Sequence, residues 1–294
     1  MNRILVIALG MLLAVGAGAR EVNETIDADR DGTVSVYNTS GSIEVSGWSR
    51  NEVEVTGTVG DDAEEFIFER SGKTTTIKVK IPNRSRGHRD VSANLVIRVP
   101  EGSSLDIATV SADIDVEDVK GEQELQAVSG DISTTVFGQD ISAETVSGDL
   151  DVTGEGGDGE SRLTSVSGDI EAEGLVGEID AEVVSGDIDI SRGSFERAKV
   201  QTVNGDITYI AALRPGGRID METVNGSIDI EFVGDVSARF DIETFNGRIK
   251  NCFGPKAERV SKYAPGWELS FTEGSGDGRV SINTLNGNLD MCKE

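Results

Sequence analysis

One octapeptide is rewritten along this chain: T-V-S-G-D-L-D-V at Thr145–Val152 has close copies beginning at Thr109, Ala127, Ser165, Val183, Thr202, Thr223, Thr244 and Thr284. With the glycine as register mark (Ala112, then Gly130, Gly148, Gly168, Gly186, Gly205, Gly226, Gly247 and Gly287), the steps are 18, 18, 20, 18, 19, 21, 21 and 40 residues. A period near twenty is too short for a helical-hairpin repeat and fits one coil of a β-solenoid. The fold expected is therefore all-β, a single-chain β-solenoid with about 18–21 residues per coil.

Numbering each copy from its glycine gives the coil's internal pattern. Positions −7, −5 and −3 are apolar or small, as in Ile219, Met221 and Thr223. Positions −2, +2 and +4 are apolar, as in Val224, Ile228 and Ile230. These positions face inward, so the parity flips between −3 and −2 and the strand is expected to bend or bulge there. Each coil then consists of two short strands around a corner, and stacking at about 4.8 Å makes interior columns of Val, Ile and Leu.

Residues 20–105 are β-rich but looser. N-T-S-G-S-I-E-V at Asn38–Val45 is an isolated early copy, so this region is expected to supply the first coils of the same solenoid, with a hairpin inserted. Glu64–Phe68 suits either a short helix or a strand. The repeats proper are expected from 106 to 294. Lys256–Gly276, bearing Tyr263 and Trp267, interrupts the rhythm as an insertion at about 255–277 that covers the last coils; the alternative is a binding loop.

Met1–Ala19 has a basic residue at Arg3, an apolar run from Ile4 to Val15 and an A-x-A end, the pattern of a cleaved secretory signal. Its apolar run is shorter than a bilayer span needs, and no other stretch is long enough, so no membrane span is expected in the mature chain. Export places the chain in the periplasm or outside the cell. The formal charge of −26 disfavours nucleic acid as a partner. Cys252 and Cys292 both lie five residues past a repeat glycine. If the 40-residue step is one coil carrying an insertion, they stack on adjacent coils and are expected to form a disulfide.

Candidate chemistry is sparse. Acids recur at +1 and +3, among them Asp113, Asp115, Asp131, Asp149, Asp151, Asp169, Glu171, Asp187, Asp189, Asp206 and Asp229. They read either as a solvated face or as carboxylates for Ca²⁺, although the spacing of calcium-roll repeats is missing. The isolated loop Gly154–Glu160 does not supply it. At −1 stand Ser111, Ser129, Ser147, Ser167 and Ser185, then Asn204, Asn225, Asn246 and Asn286, a ladder able to bond from coil to coil. The only histidine, His88, sits in a polar loop, so no catalytic set, metal site or cofactor site is assigned. Lys78, Lys80, Arg84, Arg86 and Arg89 form a basic cluster suited to a charged hairpin or to an anion.

The repeat copies, with G-S-I-E-V-S-G-W at Gly41–Trp48 and L-V-I-R-V-P-E-G at Leu95–Gly102, resemble the bacterial family called domain of unknown function 4097, whose members carry the label adhesin. The resemblance implies an envelope-associated β-solenoid and brings no catalytic residues. The reading that follows is a non-enzymatic exported binding or scaffolding module whose partner is a cell-envelope or surface component, protein or glycan. The alternatives are a calcium-dependent surface adhesin and a carbohydrate-active enzyme on a solenoid, the latter resting on paired carboxylates.

Overall fold

The computed structural model describes residues 19–82, 91–261 and 265–294. Every regular element in them is a strand. The coil around Gly148 stands for the rest. Ile141–Ser147 runs parallel to Gln123–Ser129 on one side and to Gly159–Ser167 on the other. After the Gly148–Asp149 corner, Leu150–Gly154 runs parallel to Ile132–Val136 and Ile170–Glu173. Ile141, Ala143, Thr145, Leu150 and Val152 all point into the core. Because each coil repeats this pattern, apolar side chains stack on their counterparts, and no coil has to bury its face alone.

The corner explains the glycine. A Cβ on Gly205 would lie 1.8 Å from the carbonyl oxygen of Gly186 in the neighbouring coil, closer than any side chain tolerates. That carbonyl also accepts the buried Thr202 hydroxyl at 3.1 Å. Thr145, Ser165, Thr223, Thr244 and Thr284 bond neighbouring glycine carbonyls in the same way, which accounts for hydroxyls at an interior position.

Two expectations change. Position −2 does not face inward: Thr145 is buried, whereas Val146 is 45% exposed. The parity is the ordinary alternation of a strand through −7, −5, −3 inward and −2 outward, and the break falls at −1 to +1. Apolar character alone does not set which face of the strand a valine occupies.

The coils also do not all stack in chain order. Gly278–Asn286 lies between Ile207–Asn225 and Ala238–Asn246, parallel to both. Leu289–Lys293 likewise separates Ile228–Phe232 from Ile249–Asn251. The last coil of the sequence is thus intercalated before the preceding one. Near-identical coils offer the same register to any neighbour, which permits this insertion. Trp267–Glu273 pairs antiparallel with the outer side of Ala238–Asn246, and Glu258–Arg259 pairs with it in turn, so the insertion is a strand hairpin. Phe240 and Phe271 stack at 4.5 Å beneath it and fill that end of the core.

The other end follows a similar plan. Thr33–Trp48 pairs with Ser104–Glu117 on one side and with Thr74–Lys80 and Ala93–Pro100 on the other. Antiparallel strands then close the stack. Glu65–Ser71 pairs with Thr74–Lys80, Glu52–Val59 with Ala93–Pro100, and Arg20–Asp27 with Glu52–Val59. Glu64–Phe68 falls almost wholly within the strand Glu65–Ser71. Antiparallel closure at both ends limits the edge available for templated pairing.

Candidate binding surface

Position −2 places one apolar side chain from each of nine successive coils on the outside: Val110, Val128, Val146, Val166, Val184, Val203, Val224, Leu285 and Phe245, in spatial order. The column is roughly 38 Å long, eight inter-strand spacings. β-branched residues suit a pleated surface, and in-register neighbours shield one another in part, which makes the column compatible with the sheet. A continuous exposed apolar stripe of this length is nonetheless uncommon on a soluble monomer and marks contact surfaces.

Towards the C-terminal coils the stripe becomes a groove. A depression of about 850 Å³ is floored by Val166, Val184, Val203, Val224, Leu285 and Phe245. Position −4 supplies one polar wall, including Glu182, Gln201, Glu222 and Glu243. The inserted hairpin supplies the other, through Val260, Gly266 and Trp267. The hairpin is held by the pairing of Trp267 with Thr244 and by the Val260 amide donating to Gly266 oxygen at 3.3 Å. The Arg259 guanidinium lies 5.1 Å from the Trp267 ring centroid and fixes the indole face. An apolar floor, polar rim and aromatic overhang are the parts of a recognition surface.

The acidic columns have another role. At +1, the Asp113, Asp131, Asp149, Asp169, Asp187 and Asp206 carboxylates each accept the backbone N–H of the +1 residue one coil on, at 2.6–3.1 Å. They stitch corners together. Among the described residues, no three His, Cys, Asp or Glu side chains converge as a metal site would require. Asp158, in the Gly154–Glu160 loop, is held bidentate by Arg214 at 2.6 and 3.1 Å, which pulls its carboxyl below the usual carboxylate range.

The asparagine ladder is continuous but follows spatial order. Asn225 donates to Asn204, Asn286 to Asn225 and Asn246 to Asn286, each at 2.8 Å. Cys252 and Cys292 are joined, with Cα atoms 4.9 Å apart, on the intercalated coil and its outer neighbour. In the basic cluster, Lys80 pairs with Glu65 at 2.6 Å and Lys78 sits over the Tyr37 ring. Arg84, Arg86, His88 and Arg89, Tyr263, and residues 1–18 lie outside the described residues.

A family model described as Toastrack DUF4097 matches residues 63–291. The chain belongs to this family. The match takes in all nine repeat copies and the hairpin that walls the groove, so the candidate surface lies within the Toastrack region. No curated protein matches the sequence. Among solved structures, a "putative adhesin" from Bacteroides fragilis is similar over 95% of this chain and 100% of its own, at 10% identity and a TM-score of 0.44. A "putative adhesin" from Parabacteroides merdae is similar over 92% and 96%, at 8% identity and a TM-score of 0.36. A "putative cell adhesion protein" from Clostridium sporogenes is similar over 94% and 100%, at 10% identity and a TM-score of 0.23.

Proposed function

We propose that this Toastrack protein is a non-enzymatic, exported module that binds or scaffolds a component of the bacterial cell envelope or surface. Its contact surface is the valine-floored groove. The observation that carries the reading is the outward column from Val166 to Phe245 beneath the Trp267 overhang, an apolar floor suited to contact with a partner. The leader pattern at Met1–Ala19 and a disulfide, which persists in oxidising compartments, support placement in the periplasm or outside the cell.

The test is site-specific photocrosslinking in living cells. A photoreactive amino acid replacing Val203, in the groove, should yield discrete adducts. The same group replacing Asp189, past the corner at +3, should yield few. Equal labelling at both positions would remove the groove from the function.

A further inference from the structure

Position −8 holds a second column on the same outer face. In spatial order it reads Glu160, Glu178, Arg197, Arg218, Arg279 and Arg239, because Arg197 pairs in register with Arg218, Arg218 with Arg279, and Arg279 with Arg239. Four arginines on four consecutive coils is an unusual concentration in a chain with 27 cations, 53 acids and a net charge of −26. Adjacent like charges at the inter-strand distance repel by about 1 kcal/mol per pair in water, so the row is not there for stability. Elsewhere on this face a cation is given acids: Lys199 pairs with both Asp180 and Glu182.

The row is only lightly neutralised. Arg197 pairs with Glu178 at 2.9 Å, Arg218 lies 3.8 Å from Asp220, and Arg239 donates through Nε to the Gly276 carbonyl at 3.0 Å. Arg279 pairs with no carboxylate among the described residues. The four guanidinium groups, with Glu196 and Asp277 as the only acids, line a depression of about 400 Å³. Gly216, Gly217 and Gly278 keep its floor free of side chains.

We infer that this arginine column binds a linear acidic polysaccharide, one carboxylate or sulfate per sugar ring, laid along the stacking axis. The charges to be matched recur about every 4.8 Å over roughly 14 Å, three inter-strand spacings. A pyranose chain charged once per ring presents anions at about that interval. Counted in the same way along its axis, an extended acidic peptide presents a carboxylate about every 3.3 Å, out of step with the row. Duplex nucleic acid carries a charge about every 1.7 Å and meets the acidic body on either side. Repulsion from that body is screened beyond about 8 Å at physiological salt, which leaves the local row in control of a sparsely charged chain. Arginine forks suit carboxylate and sulfate oxygens in pairs. This site is independent of the valine groove.

The test is calorimetric titration of the intact protein with oligogalacturonate, in the presence of a chelator so that calcium cross-bridging plays no part. Parallel arms use the methyl-esterified oligomer, inorganic sulfate and an oligoglutamate peptide. Binding of oligogalacturonate should weaken with salt, and the double variant Arg218→Gln/Arg279→Gln should lose about tenfold or more in affinity with an unchanged melting temperature. The esterified oligomer should not bind. The inference is overturned if the esterified oligomer binds equally, if sulfate or oligoglutamate competes as well per charge as the sugar chain, or if the double variant binds like the parent. Salt dependence of the parent alone decides the matter should the variant fail to fold: affinity independent of salt rules out the arginine row.

Discussion

Asp187 Oδ1 accepts the backbone N–H of Asp206 at 2.7 Å, one coil along the stack. The same bond runs from Asp113 to Ser227, so a face that reads as solvated acid is in part a structural seam between corners. Asp187→Ala leaves the Asp206 amide to water and should cost about 1 kcal/mol, a loss of roughly 2–4 °C in a chain of this size. Asp187→Asn keeps an acceptor and should cost less. Added calcium should leave the melting temperature of the parent protein unchanged, because these carboxylates already have partners. Differential scanning calorimetry reads all three.

Gly205 has no room for a methyl group against the Gly186 carbonyl, whereas Gly216, with φ +75°, has open space around it. Gly205→Ala must push two coils apart and should cost about 3 kcal/mol or more, within the range of the largest single-site effects. Gly216→Ala should cost only about 1 kcal/mol, from the left-handed backbone. Urea unfolding of the two variants separates close approach from backbone conformation.

Much of this was legible in the sequence, and for a physical reason: stacking repeats each constraint at the same register. The glycine column, the interior columns and the adjacency of Cys252 and Cys292 follow from spacing alone. The outward valines were not legible, because Val146 and Val152 are the same residue type on opposite faces. Only the alternation from Thr145, without regard to polarity, tells them apart. The intercalated coil was hidden because Asn225 meets Asn286 as readily as it would meet Asn246. The arginine column was available to sequence reasoning had the register been carried one step further, to −8, where Arg197, Arg218, Arg239 and Arg279 recur.

Tyr209 is fully buried between Phe195 and Phe232, and its hydroxyl has no hydrogen-bond partner among the described residues. Burial pushes its phenol well above the ordinary value. Tyr209→Phe removes an unsatisfied polar atom without opening a cavity and should stabilise the protein by about 1 kcal/mol in urea unfolding.

Asp229 sits beside Asp290 on the neighbouring coil, and partial burial, with Asp290 and Asp206 behind it, raises its pKa. A raised carboxyl pKa means the fold disfavours the ionised form. The penalty is present at neutral pH, fades as pH falls through the raised folded value, and is gone below the unfolded value. Asp229→Asn should therefore stabilise at neutral pH, by a few tenths of a kcal/mol after solvent screening. The gain should vanish at low pH. Melting temperatures of parent and variant across the acid range give the comparison.

If the outward valine column is a binding surface and not merely a tolerated stripe, making its floor polar removes the contact. Val184→Thr, Val203→Thr and Val224→Thr together keep the side-chain shape and β-branching while making the floor polar. The measurement is retention of purified protein on isolated bacterial envelope fractions. The triple variant should lose most of its retention while melting within about 2 °C of the parent, a change below 1 kcal/mol. Retention equal to the parent's, in a variant that is folded, would contradict a binding role for the column.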